Sequence, residues 1–509
     1  MKNFLTVIFI IVLSTAIYAG TLKGIAGNVD VNSTELLSPP FEAGPFETSH
    51  PRSSFAIVLA LDDYNETYLT KELADFASPD VGYFKGKFYS FFPPGTAYTA
   101  YPFFLLGKHF NLSQVFAFFS ASIFGILGLV FLYKIMREVF SLPIWSSLFG
   151  VLVLGFGSTF WNYSITIYQH SPTVFFLMFG FYCVWRFKQQ TYWSWLWSIG
   201  AWSSYGLSVF FDYPNIIIVF PIVVYLLIVS FNLKEQGNVY KISFRTSIIF
   251  TSVALFLFAG LHMYYNQQTL EDWGRFSNTL PRYAESRLAI NEGDAEKISD
   301  SKQKVNSLFQ EIRTVNGVRI VFFSIDKGLF VYSPIFILAL FGIYTSRKKI
   351  GLELSIMFSI VLCTIFVYTS FGDPWGGWAY GPRYLIPIMP VLAILISLWL
   401  THINYKFISR VIAFVLFVYS AGVALLGAAT QNIVIPKIEA VPLNAPYNYF
   451  ANIKLLKNGT SGVYFYNTYL ADHLSLMSYY IIILSTLSCV AFIVLFIAPK
   501  LTKDYGIKD

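Results

Sequence analysis

Apolar residues along this chain gather into about twelve stretches, each close to the ~20 residues that a helix needs to cross a bilayer. The stretches occupy 3–20, 111–133, 143–161, 170–186, 193–211, 213–231, 246–264, 328–346, 351–371, 384–401, 409–428 and 476–498. The gaps between them alternate in character. One set carries Lys134 and Arg137, then Arg186 and Lys188, then Lys234, Lys241 and Arg245, then Arg347, Lys348 and Lys349, then Lys406 and Arg410, and finally Lys500, Lys503 and Lys508. Basic gaps face the cytoplasm, so both termini are expected inside. The other gaps carry Asp62, Asp63, Asp80, His170, Asp212, Asp373 and Arg383. The pattern predicts an all-α, polytopic protein of a plasma (inner) membrane, with its polar chemistry gathered at the extracytoplasmic face.

Three outer segments are long: 21–108, 265–327 and 429–475. Within the first, Arg52 to Leu61 is apolar but too short to span, which predicts an interfacial helix lying along the membrane. A second short helix is expected after Pro94, through Tyr98 to Leu106. The second segment is rich in charge, from Glu285 and Arg287 to Asp294 and Asp300, and reads as a helical excursion or a lid. The third, with Pro436, Pro442 and Pro446, is expected to shape an acceptor groove. The organisation predicted is a transmembrane domain over 1–428, including the loop 21–108, followed by an outer loop, a last span and a tail over 429–509.

Composition sharpens this picture. Of 509 residues, 55% are hydrophobic, 19% aromatic and 12% charged, against about a quarter charged in a soluble protein. So little charge cannot cover a water-exposed surface, and lipid is the expected solvent for much of it. The net charge of +7 comes from short loops and follows membrane topology, so no nucleic-acid partner is expected. Cys183, Cys363 and Cys489 all lie inside apolar stretches and read as packing residues. Lys2 ahead of an apolar run, with Ala19 beyond it, also fits a cleaved signal peptide; a retained first helix suits a single polytopic domain better.

Candidate chemistry concentrates in a few places. In the segment from Ser78 to Gly95, Asp80 lies near Lys85, Lys87 and Tyr89, before a Pro93-Pro94-Gly95 break. A carboxylate at a membrane surface can serve as general base while lysines meet a phosphate; taken alone, the segment reads as a solvated hairpin with surface charges. From Asp373 to Tyr384, glycines alternate with Trp375 and Trp378 ahead of Arg383. A guanidinium at headgroup depth suits bidentate phosphate binding, and an interfacial anchor is the competing reading. His170 alone would be a polar cap. Asp212-Tyr213-Pro214 links two spans so tightly that Asp212 reads first as an N-cap and second as a site residue. The pair Asp62-Asp63 can bind a divalent cation or share a proton, and is equally a solvated helix end. No spacing in the acidic loop demands a metal.

Taken in order, these residues resemble the membrane glycosyltransferases of the GT-C superfamily, of the protein-mannosyltransferase and aminoarabinose-transferase kind. The resemblance rests on Asp80, Gly86, Tyr89, Ser90, Pro94 and Gly95; on Tyr163, Tyr168 and His170 with Asp212, Tyr213 and Pro214; and on Leu329 to Pro334, Trp375 to Gly377 and Gly381 to Leu385. It covers most of residues 45–400. It implies inverting transfer of a sugar from a polyprenyl-phosphate carrier to a glycan, lipid or protein acceptor. Asp80 is then the expected base, with Asp62 or Asp63 in reserve. Arg383 and Arg52 would hold phosphate, and His170, Tyr89 and Asp212 would shape the sugar pocket. Many relatives carry an Asp-Lys pair just before the Pro-Gly, where this chain has Phe91-Phe92. Phosphate contact must here fall to Lys85, Lys87, Arg52 or Arg383.

Two other readings compete. A polymerase or ligase of lipid-linked glycans would use the same outer face. A transporter or flippase would place ionisable residues along a pathway near mid-membrane, whereas the interiors of these stretches are nearly free of charge.

Overall fold

The computed structural model describes residues 2–33, 44–46, 48–189, 192–236, 239–283, 314–347, 350–370, 373–402 and 406–500. The central charges expected on a lid, from Glu285 to Asp300, lie outside the described residues.

Every apolar stretch read from the sequence contains helix, though not all twelve helices are long and apolar enough to cross a membrane. Among the described residues, seven helices are long and apolar enough to cross a membrane: Lys2–Thr21, Ser113–Val139, Ser247–Leu270, Leu352–Ser370, Arg383–His402, Phe407–Ala429 and Leu476–Lys500. Three more apolar helices, Ile144–Phe156, Asn215–Ser230 and Pro334–Ser346, are shorter. Their shortness has local causes. The first stops at Gly157. The second is interrupted at Val219, ahead of Pro221. The third follows a break at Ser333-Pro334, where proline cannot continue a helix. The remaining two stretches form the helices His170–Lys188 and Ser194–Phe211, which pack against each other; the first also packs on Ser113–Lys134.

Burial sorts the helices. The helix Arg383–His402 is central, with 89% of its apolar window buried, whereas Ser247–Leu270 has 17%. The latter leaves Phe250, Phe256 and Leu257 exposed, as Lys2–Thr21 leaves Phe4, Leu5 and Val12. Exposed apolar helix faces of this extent suit lipid rather than water. The chain is an integral membrane protein.

Two antiparallel hairpins qualify the all-α expectation. One pairs Val81–Phe84 with Lys87–Ser90, setting Gly82 opposite Tyr89. Its two-residue turn has positive φ at both Lys85 (47°) and Gly86 (80°), the geometry that matches right-handed strand twist. The other pairs Phe231–Gln236 with Val239–Phe244 and occupies a basic gap expected to be a loop.

The first outer segment also departs from expectation. The helix Ser49–Tyr64 contains the apolar run, but Phe55, Ala56, Ile57, Val58 and Leu59 are all buried. Phe55 packs on Phe46, Phe104 and Phe118. Protein rather than lipid covers this helix. Its neighbour Gly95–Lys108 does leave Tyr98, Leu105 and Leu106 exposed, as an interfacial helix would.

Candidate active site

The start of the helix Ser49–Tyr64 organises one side of the site. Pro51 sits in its first turn, where the missing N–H costs nothing. The Asp80 carboxylate accepts a hydrogen bond from Ser49 Oγ. The backbone carbonyl of Asp80 accepts from Ser53 Oγ at 3.2 Å and from the Phe91 N–H at 3.2 Å. Asp80 is thereby fixed at the base of the first hairpin against the helix start. Arg52 donates to the carbonyls of Ser78 (3.1 Å) and Thr48 (3.3 Å). Burial works against its charge, and the nearby Asp80 and Tyr168 support it.

Asp62 and Asp63 lie elsewhere. Asp62 follows Ser49 by 13 residues on the same helix, roughly 20 Å at 1.5 Å per residue. It pairs with Lys108 Nζ at 2.6 Å, while Asp63 accepts from the Val31 N–H at 3.1 Å. Lys85 occupies the hairpin turn and pairs with Glu271; Lys87 lies over the Tyr68 ring at 4.0 Å. Tyr89 is buried in a small cluster with Phe84, Phe91, Leu270 and Leu280, and burial pushes its pKa up to about 12.

A row of rings connects the start of this helix to Arg383. Phe92 and His50 have centroids 3.7 Å apart. His50 and Tyr168 stack at 5.2 Å with planes 20° apart, and Tyr168 and His170 at 5.8 Å and 19°. The Tyr168 hydroxyl bonds Thr48 Oγ1. Tyr163 meets His170 edge-on at 5.1 Å and donates to the Tyr380 carbonyl at 2.9 Å. His50 is buried, and both of its ring nitrogens lack a hydrogen-bond partner among the described residues.

Arg383 opens the 3-10 turn Arg383–Ile388, beyond a loop that bends only because of its glycines. Gly381 has φ +61°, and a β-carbon there would lie 2.7 Å from Thr159 Cγ2. Gly376 has φ +71°, and a β-carbon would come within 3.0 Å of Arg383 Nε. Asp373 ties the loop together, accepting from the N–H groups of Trp375 (3.2 Å) and Gly377 (2.8 Å). Arg383 lies within electrostatic reach of Tyr384, Tyr168, Tyr163 and Asp373. Its Nε is buried without a partner among the described residues.

Asp212 does not cap the helix that follows it. Its carboxylate accepts from Gln169 Nε2 at 3.4 Å and from the Tyr368 hydroxyl at 3.5 Å. Burial raises its pKa to about 7, against the opposing pull of Gln169 and Arg383. Tyr213 turns away, bonding Ser277 at 3.1 Å and packing on Phe276. The site residues thus fall into two groups joined by Tyr168. Asp80 and Arg52 stand on one side, and Arg383, Asp373, Tyr384 and Asp212 on the other.

Sequence reasoning passed over His50 and Lys327. His50 lies two positions from Arg52, in a helix start that Pro51 marks, and that signal was available. Lys327 carries no such mark. It is 1% exposed and donates to the carbonyls of Gly377 (3.0 Å), Ala379 and Val434 (2.9 Å). Burial first, and Arg383 second, push its pKa down to about 7, yet the three carbonyls accept all three ammonium protons. Lys327 therefore pins the Arg383 loop to the segment after Ala429. No group of three or more His, Cys, Asp or Glu side chains able to hold a metal ion occurs among the described residues.

Comparison with known proteins bears on this arrangement. Residues 92–262 match the family described as dolichyl-phosphate-mannose-protein mannosyltransferase. That segment carries His170, Asp212 and Tyr213 and contains neither Asp80 nor Arg383. No curated protein sequence matches the chain. Among solved structures, the chain is similar to the archaeal oligosaccharyltransferase AglB from Archaeoglobus fulgidus in complex with an inhibitory peptide and a dolichol-phosphate, at 10% identity and a TM-score of 0.46, covering 93% of this chain. It spans 59% of that protein's length. It is similar also to ArnT from Cupriavidus metallidurans in the apo state, at 14% identity and a TM-score of 0.47, over 97% of this chain and 78% of that one. The match to that family covers about a third of the chain.

Proposed function

We propose that this protein transfers a sugar from a polyprenyl-phosphate carrier to an acceptor hydroxyl at the extracytoplasmic face of the membrane, with inversion at the anomeric carbon. The alternating basic gaps support that orientation, with both termini inside. The carrier's prenyl tail would lie in lipid and its phosphate at headgroup depth. Asp80 takes the proton of the acceptor hydroxyl as its oxygen attacks the anomeric carbon. The bond from that carbon to the phosphate oxygen breaks, and its electron pair leaves with the phosphate. Arg383 and Arg52 stabilise the charge that develops there. Lys85 and Lys87, at the hairpin tip with Glu271 and Tyr68 as neighbours, suit this role less well.

One observation carries the reading. The start of the helix Ser49–Tyr64 brings Asp80 and Arg52 against the same aromatic row that Arg383 borders. A base and phosphate-holding cations are what such a transfer requires on either side of a reacting sugar. The test uses purified wild-type and Asp80→Asn protein in lipid, a panel of polyprenyl-phosphate sugars, and release of the polyprenyl phosphate as readout. Asp80→Asn should slow transfer by about 10²–10⁴-fold without weakening donor binding. Unchanged transfer would remove Asp80 from the role of base. Absence of transfer by the wild type across the panel would remove the reading itself.

A further inference from the structure

His50 is 2% exposed, and neither of its ring nitrogens has a partner among the described residues. His170, 1% exposed, leaves its Nε2 in the same condition. Buried polar side chains are satisfied in the large majority of cases, and each one left unmade costs about 1–3 kcal/mol. Two such imidazoles here flank one ring, Tyr168, in near-parallel stacks. Phe92 closes the far end of the row against His50. The charge of Arg383 reaches both imidazoles.

The chemistry of the row is specific. Burial, then Arg383 and His170, hold the His50 pKa well below the usual histidine range, so its ring is neutral. A neutral imidazole presents one N–H donor and one acceptor. A hydroxyl group both donates and accepts and can use either nitrogen. A phosphate dianion only accepts, and an ammonium only donates.

Building on the transfer reaction proposed above, we infer that the row Phe92–His50–Tyr168–His170 receives the sugar ring of the lipid-linked donor, with His50 and His170 hydrogen-bonding its hydroxyls while Arg383 meets the phosphate. His50 is then a specificity-determining residue that reads a neutral, hydroxylated sugar.

The experiment compares binding of dolichyl-phosphate-mannose and of dolichyl phosphate to purified protein in lipid. Wild type should bind the mannose-bearing lipid the more tightly. His50→Phe should weaken binding of that lipid about tenfold and leave dolichyl phosphate unchanged. Arg383→Ala should weaken both. His50→Gln, which keeps a donor and an acceptor, should recover most of the loss, and it also guards against a fold lost to the larger ring. The inference is overturned if wild type binds the two lipids equally, if His50→Phe binds dolichyl-phosphate-mannose as wild type does, or if His50→Phe and His50→Gln lose both lipids alike. Because this readout needs no turnover, it fails or stands separately from the transfer test with Asp80→Asn.

Discussion

Tyr368 stacks on Tyr384 with ring centroids 4.3 Å apart and planes 7° apart, and its hydroxyl donates to Asp212. One tyrosine therefore spaces a buried carboxylate from the turn that starts with Arg383. The consequence is electrostatic. Burial raises the Asp212 pKa to about 7, so the folded protein keeps a proton that an unfolded chain releases near pH 4. Between those values the folded state binds more protons, and its stability falls as pH rises. The thermal unfolding midpoint in detergent should decline from about pH 4 to about pH 7 and level off on either side. Asp212→Asn should flatten that decline. Ionised Asp212 also places negative charge near Arg383, so wild-type affinity for dolichyl phosphate should drop as pH passes 7, and that of Asp212→Asn should not.

Arg383 offers a planar fork to phosphate, which lysine cannot reproduce. Arg383→Ala should weaken dolichyl phosphate binding by about 2 kcal/mol, roughly thirtyfold. Arg383→Lys should lose less, since it keeps a point charge. Equal losses in a titration of the two variants would count against a bidentate contact.

Lys327 tests the loop rather than the ligand. Lys327→Met would leave the carbonyls of Gly377, Ala379 and Val434 buried without their donor, at a cost of about 1–3 kcal/mol for each. Denaturant or thermal unfolding should show that loss. Donor binding should fall with it, because the Gly376 backbone packs against Arg383.

The remaining acids and lysines separate from the site by the same kind of measurement. Lys85 and Glu271 are 55% and 63% exposed, so water screens their pair and it contributes little to stability. Lys85→Ala and Asp62→Asn should each leave transfer within about twofold of wild type, well short of the loss expected of a general base. A large loss in either would move the phosphate or the base to the far end of the Ser49–Tyr64 helix or the hairpin tip.

The membrane character was legible because it is a property of composition and of ~20-residue windows. The hydropathy of 213–231 and 328–346 did not reveal that Pro221 and Pro334 interrupt them. The apolar run at Phe55 to Leu59 looked like a lipid-facing surface because its covering rings, Phe46, Phe104 and Phe118, come from other segments. Asp212 reads first as an N-cap from its place before a helix, but its partners are Gln169 and Tyr368, 43 and 156 residues away. Local pattern exposes short-range preferences. Contacts such as Lys327 with Val434 exist only once the chain has closed on itself.

The first helix ends in another such closure. Lys23 is fully buried and donates to the carbonyls of Gly427 (3.2 Å) and Thr430 (2.6 Å), 404 and 407 residues further along. Beside it, the Tyr464 N–H donates to the Leu22 carbonyl at 2.9 Å. At about 5–20 residues per second, a ribosome needs roughly 20–80 s to deliver those carbonyls after Lys23 has emerged. Throughout that interval the ammonium is without those two acceptors, and the first segment waits beside a half-made protein. Assembly of this protein is timed by its last third, and a nascent chain stalled before Gly427 holds its first helix without its lock.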